Sequence, residues 1–454
     1  MIPLWDMAAL GAATGGTTLA DAMVDGVSID SRSVAPGELF VALRDARDGH
    51  DFVLDALARG AVCAMVDRDP PGVPPGAPLL RVADTQAGLT ALGTAGRARF
   101  AGRVAAITGS VGKTGTKDML RLMLAASGPT HAAQASYNNH WGVPLTLARL
   151  NADDRFAVIE IGMNNPGEIA PLAALARPHV AAITAVGEAH VGRLGSLDAI
   201  AEEKGMILGG LEADGVAVLP CGSPHFARFA ALAGGARILG FGHGATADVR
   251  LLEATTGADG TRATIAVLGT EVGIAMPAVG LHHAENACCA LAVAFALGAD
   301  PATAAALAGY APGAGRGAAR QVAVPGGTAL LIDESYNAAP PAMHAALAAL
   351  ASWPGTRRIA VLGEMRELGE RSAALHAGLA ASTTTADLVF CCGPDMAHLH
   401  AALPAARRGA LAADSTALAP IVRDALRPGD VVLVKGALGS RMAVIVQALA
   451  EGAA

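Results

Sequence analysis

A lysine followed directly by threonine, behind glycine and other small residues, can hold a polyphosphate. Thr108-Gly109-Ser110-Val111-Gly112-Lys113-Thr114 has that composition and order. Its small residues let successive backbone N–H groups turn toward one point, Lys113 brings an ammonium to the outer phosphates, and the Thr114 hydroxyl can ligate magnesium. The stretch is a shortened form of the usual phosphate loop, because Ile107 stands where the longer pattern has glycine. An ordinary strand-to-helix turn accounts for the same residues with less chemistry, so other stretches must decide.

Several other residues stand where chemistry is common. Glu160 stands near the end of the apolar run Phe156–Ile161, and His190 follows the run Val180–Thr184. Ligands of parallel sheets sit beyond the carboxyl ends of the strands, so both side chains are expected to face the crevice that holds Lys113. A carboxylate and an imidazole beside a triphosphate are candidate magnesium ligands; a helix cap and a packed histidine are the plain alternatives. Lys204 follows Glu202 and Glu203, and periodicity places it on an exposed helix face. Asn286, expected in the first turn of an apolar helix, is a purine contact or a helix-start residue. Asp30-Ser31-Arg32, directly after a strand, suits a phosphate or uracil, or is a turn with one solvated arginine.

These residues need strands and helices to position them. With 454 residues, two or three domains are expected, and three is the reading adopted. Residues 1–101 break into short strands and turns, a small α/β domain. Residues 102–312 alternate strand and helix, which predicts a doubly wound, mostly parallel sheet around the phosphate loop. Residues 313–454 repeat the alternation, with polar groups after Ala329–Asp333, Arg358–Gly363 and Asp430–Gly436. Ala311–Gly315 between the last two reads as a hinge linker.

Composition narrows the function. Charged residues are 16% and the net charge is −7, which excludes a basic field for a nucleic-acid backbone. No apolar run approaches the ~20 residues of a membrane span, and the start of the chain lacks a basic opening, so the cytoplasm is the expected location. The six cysteines include no C-x-x-C spacing and are expected as buried free thiols.

In order along the chain, Ser28-Ile29-Asp30-Ser31-Arg32, Thr108–Thr114, Asn138-Asn139-His140-Trp141-Gly142-Val143-Pro144, Asp333-Glu334-Ser335-Tyr336-Asn337-Ala338, Val361–Gly369 and Val434-Lys435-Gly436 make the sequence resemble the Mur ligases from Gly26 to Arg441. The runs Asp333–Ala338 and Gly363–Gly369 favour the branch that handles D-alanyl-D-alanine. The resemblance implies three α/β domains: an N-terminal UDP-binding domain, a central ATPase domain and a C-terminal Rossmann-like domain. It also implies ATP-dependent amide formation through an acyl phosphate, joining D-alanyl-D-alanine to a UDP-N-acetylmuramoyl tripeptide, by a monomer.

By position, the resemblance assigns the nucleotide to the loop Thr108–Thr114, with Asn286 on adenine and Arg316 and Asp333 reaching across from the C-terminal domain. Magnesium falls to Thr114, Glu160 and His190, with Lys204 joining as a carbamate. Ser31 and Arg32 take the UDP end of the sugar substrate, and Asn138 and Asn139 its middle. The chain also departs from the family pattern. His283 and Glu285 interrupt the usual His-Asn-x-x-Asn run, Ala185 replaces a common Asn, and Gly192-Arg193 replace a common Glu-Gly, which implies a looser second metal site. Competing readings are a folylpoly-γ-glutamate synthetase, which needs no UDP site, another Mur-type ligase, and a non-catalytic ATP-dependent switch, which needs no substrate domain. The third residue of the acceptor peptide, meso-diaminopimelate or L-lysine, is left open.

Overall fold

The computed structural model of the chain describes residues 3–18, 21–133 and 135–451. Three larger sheets organise it, each with one stretch of antiparallel pairing on an otherwise parallel arrangement. In the first, Thr17–Thr18 pairs antiparallel with Leu79–Arg81, followed in parallel by Cys63–Val66, Glu38–Val41 and Gly26–Ser28. Successive side chains of a strand point to opposite faces. Leu39, Val41 and Met65 therefore pack toward helix Thr85–Arg99, while Phe40, Ala64 and Val66 pack toward helix Val53–Ala58. Leu145 and Ala148, from helix Gly142–Ala148 of the next unit, join the first of these cores.

The second sheet has nine strands and places Arg103–Thr108 between Phe156–Glu160 and Val180–Ile183. All three strands are apolar and buried, as strands covered on both faces must be. Their register sets Glu160 beside Ile107 and Thr108 beside Ile183, so the polar groups that follow emerge at one edge. Helices Lys113–Ala125 and Leu281–Ala296 cover one face through Leu120, Met123 and Leu291. Helices Gly142–Ala148 and Ile169–Ala176 cover the other.

Strand and helix do not alternate throughout this sheet. Val249–Gly257, Gly260–Val267 and Thr270–Met276 form an antiparallel meander at its far edge. Its signal was present in the Asp259-Gly260 and Gly269-Thr270 turns and in the alternation of buried and exposed residues between them.

The third sheet runs Ala318–Val324, Gly327–Glu334, Asp430–Lys435, Arg357–Gly363, Leu388–Cys392 and Arg408–Ala412, with only its first pair antiparallel. One buried apolar cluster passes from Val104 and Ile159 of the central sheet through Met365 and Leu368 to Ile332 and Leu347. The second and third sheets are thus docked through shared core. Among the described residues no helix is long and apolar enough to cross a membrane. All six cysteines are free thiols, with only Cys221 partly exposed.

Candidate active site

Gly109 and Gly112 have φ of 154° and 84°, and both are tightly overlain. A Cβ on Gly109 would lie 1.9 Å from Thr184 Oγ1, and one on Gly112 would lie 2.4 Å from Asn286 Oδ1. Only glycine fits either place. The loop is further pinned by the Thr184 hydroxyl donating to the Val111 carbonyl at 2.6 Å and by Ser110, whose N–H donates to the Ala185 carbonyl at 2.8 Å. Gly112 caps helix Lys113–Ala125, so free N–H groups of its first turn and the helix dipole face the space above the loop. The Lys113 ammonium folds back onto the Gly109 carbonyl at 2.5 Å. Burial lowers its pKa, with Glu160 opposing and Arg316 adding to the shift.

Thr114 and Glu160 meet directly beside this loop. The Thr114 hydroxyl donates to Glu160 Oε2 at 2.9 Å, and Asn138 Nδ2 donates to Oε1 at 2.8 Å. Ser136 stands 3.3 Å from Thr114 Oγ1 and accepts from Arg316 Nη2 at 2.7 Å, which brings a guanidinium of the C-terminal unit to the phosphate loop. Lys117, missed from sequence, is fully buried beneath this group. Its Nζ donates to the Ala133 and Ala135 carbonyls at 2.8 and 3.2 Å and lies 4.0 Å from Glu160 Oε2. The only hint was its spacing of four residues from Lys113, which puts both on one helix face.

A hydroxyl and a carboxylate in contact suit a hard divalent cation that keeps water and phosphate oxygens as its remaining ligands. Among the described residues no three His, Cys, Asp or Glu side chains converge on one point. A cation here would take its remaining oxygens from water and the nucleotide.

His190 Nδ1 bonds the Glu367 carboxylate of the C-terminal unit, and burial lowers the imidazole pKa. Lys204 is not on an exposed face, as periodicity had it. It is 1% exposed, because helix Leu197–Gly205 buries the side that carries Ile200, Glu203 and Lys204. Its neighbour Glu203 is buried as well, accepting the Gly167 and Ile169 N–H groups at 2.8 and 2.9 Å at the start of helix Ile169–Ala176. Among the described residues the Lys204 ammonium has no hydrogen bond or ion pair. Burial, and then the charge of Lys113, push its pKa well below the ordinary lysine value. His190 feels both lysines, so the three side chains share one locality.

Asn286 sits in the second turn of helix Leu281–Ala296, one turn later than expected. With Val111, Gly112, Phe241, His282 and Cys288 it lines a pocket of about 490 Å³ adjoining the phosphate loop. Ser31 and Arg32 line a separate cleft of about 560 Å³ with Phe40, Arg47, Tyr137 and Trp141, between the first sheet and the segment after Ser136. Arg32 pairs with Asp30 at 2.6 Å and holds that carboxyl down at about 2. Asn138 is engaged with Glu160, and Asn139 Oδ1 accepts the Trp141 and Gly142 N–H groups at 3.1 and 2.9 Å as helix Gly142–Ala148 begins. Asp333 accepts the Gly315 N–H at 3.0 Å and the Ser335 hydroxyl at 2.7 Å, ordering the linker beside Arg316. Arg316 also stacks 4.2 Å from the Tyr336 ring. Lys113, Thr114, Glu160, Asn138, Arg316, His190, Lys204 and Asn286 are therefore gathered around one crevice, while Ser31 and Arg32 occupy their own.

Family models match three stretches: "Mur ligase family, catalytic domain" over residues 23–88, "Mur ligase middle domain" over 107–294 and "Mur ligase, glutamate ligase domain" over 320–438. The UDP-N-acetylmuramoyl-tripeptide–D-alanyl-D-alanine ligase of Escherichia coli is 35% identical, with 95% of each chain covered. The Synechocystis protein of the same name is 32% identical over 95% of this chain and 93% of its own. Among solved structures, MurF from Acinetobacter baumannii superposes with a TM-score of 0.84 at 29% identity, covering 98% of this chain and 99% of that one. MurF from Thermotoga maritima in complex with ADP gives 0.77 at 26% identity, covering 94% and 97%.

Proposed function

The chain belongs to the Mur ligase family, and from that premise we propose that it joins D-alanyl-D-alanine to UDP-N-acetylmuramoyl-tripeptide in peptidoglycan precursor synthesis. It is an ATP-dependent ligase forming a carbon–nitrogen bond. The observation that carries the substrate assignment is 35% identity over 95% of both chains with an enzyme named for that reaction.

A carboxylate is a poor electrophile, and transfer of the ATP γ-phosphoryl group converts it to an acyl phosphate that the dipeptide amine can attack. Phosphate then leaves from the tetrahedral intermediate. Lys113 and the N–H groups at the start of helix Lys113–Ala125 meet the charge that gathers on the phosphoryl oxygens. Thr114 and Glu160 would hold one magnesium ion, supported by their 2.9 Å contact beside the loop. His190, with Lys204 as a carbamate, would hold a second. The chemistry such ions supply when bound is neutralisation of the transferring group's charge. A neutral amine is the form of lysine that condenses with carbon dioxide, and the lowered pKa of Lys204 favours that form. Arg316 approaches the phosphates through Ser136, and the pocket beside Asn286 takes the base. The cleft at Ser31, Arg32 and Arg47 takes the UDP end of the sugar nucleotide, where two guanidinium groups suit a pyrophosphate.

The same reading divides the chain into domains at 1–101, 102–312 and 313–454, supported by three separate sheets, and has a monomer working in the cytoplasm. Incubation with ATP, UDP-N-acetylmuramoyl-tripeptide and D-alanyl-D-alanine should yield the pentapeptide mass and ADP in equal amounts. ADP release that ignores the dipeptide overturns the assignment.

A further inference from the structure

Residues 188–193, at the carboxyl end of the central sheet, are clasped by residues 367–371 of the C-terminal unit. The Gly192 N–H donates to the Glu367 carbonyl at 2.7 Å, and Arg193 pairs with Glu367 Oε1 at 2.8 Å. Glu367 Oε2 meets His190 Nδ1, and Arg371 pairs with Glu188 at 2.9 Å. One glutamate thus uses its carbonyl and both carboxylate oxygens on a single tetrapeptide of another unit.

The backbone is shaped for this contact. His190 and Glu367 both hold left-handed conformations, φ 66° and 64°, which non-glycine residues seldom adopt. Two such residues facing each other mark a place where surrounding structure overrides local preference. Gly192 approaches Gly369 so closely that a Cβ on Gly192 would lie 2.4 Å from the Gly369 nitrogen. Gly192 and Arg193 are the two positions where the chain departs from the usual Glu-Gly, and each makes a clasp contact. Arg193, where the family pattern has glycine, adds an ion pair to the C-terminal unit.

An imidazole offers a cation one nitrogen, and what its other nitrogen bonds to fixes the ring's tautomer and aim. With Glu367 accepting from Nδ1, Nε2 is the nitrogen left for a ligand. We propose that Glu367 is the positioning residue of His190, so that the second divalent-cation site is complete only while the C-terminal unit is docked. This rests on the reading of His190 as a cation ligand. Cation binding and docking then favour each other by the same factor.

The test titrates Mn2+ into the full chain with ADP present, followed by electron paramagnetic resonance, with small-angle scattering on the same samples. The wild-type chain should take two ions. Glu367→Gln keeps size and backbone while removing the charge, and should leave the first ion's affinity unchanged and weaken the second roughly 10–100-fold. Gly192→Ala leaves every charge in place but wedges the clasp, and should weaken the second ion comparably while enlarging the radius of gyration. If Glu367→Gln folds poorly, the Gly192→Ala result decides. The proposal is overturned if Glu367→Gln holds both ions at wild-type affinity, or if Gly192→Ala leaves the second ion unaffected. A wild-type chain that takes only one ion overturns it too, and shows that the second-cation reading has failed rather than the clasp alone.

Discussion

Single side chains carry the sharpest tests. The Lys113 ammonium lies against the Gly109 carbonyl of the loop at 2.5 Å, so Lys113→Ala should lower pentapeptide formation roughly 100-fold or more. Turnover within a few-fold of wild type would remove the loop from the chemistry. Lys204 gives a pH test. Its pKa is depressed in the folded chain, so between that value and the ordinary lysine range the unfolded chain binds more protons and stability rises with pH. The penalty is fully present below the folded pKa. In carbon-dioxide-free buffer, Lys204→Met should therefore gain stability over wild type on going from about pH 10 to about pH 7, read as a rising urea midpoint difference. A constant difference would mean that Lys204 keeps an ordinary pKa. Isotope-labelled bicarbonate should give a carbamate carbon signal in the wild-type chain that Lys204→Arg lacks.

Elements decide which polar residues are free to bind anything. The resemblance assigns Asn138 and Asn139 to the middle of the sugar substrate; in the structure Asn138 donates to Glu160 and Asn139 accepts two N–H groups at the start of helix Gly142–Ala148. Asn139→Ala should cost about 1 kcal/mol in urea unfolding, the usual loss for a capping side chain, whereas Asn139→Ser keeps an acceptor and should retain both stability and KM. A raised KM for the sugar nucleotide in a stable Asn139→Ser variant would show that the residue also contacts the substrate. The turn Thr108–Thr114 was legible because Gly109 and Gly112 take conformations and close contacts that only glycine allows. The meander Val249–Met276 was less so, because the strand-and-helix alternation before it was carried forward past its Asp-Gly turn.

At the scale of the whole molecule, the second and third sheets are docked by shared core and by ion pairs at its rim. Arg371→Glu places two carboxylates together at Glu188, and small-angle scattering should then show a larger radius of gyration with a raised KM for ATP. An unchanged profile would assign docking to the apolar core alone. Motion about the linker at Pro312 should appear as a smaller radius when an ATP analogue and the sugar nucleotide bind together. The sequence by itself determined the α/β class, the small-residue turn before Lys113 and Glu160 as a strand-end group, since each follows from local pattern within a few residues. Tertiary structure alone decided that Lys204 is buried and, among the described residues, unpaired, that Lys117 underlies Glu160, and that Glu367 reaches His190. Burial and pairing between residues far apart in the chain depend on how separate elements pack, and helix periodicity reports only that a face exists, not what it meets.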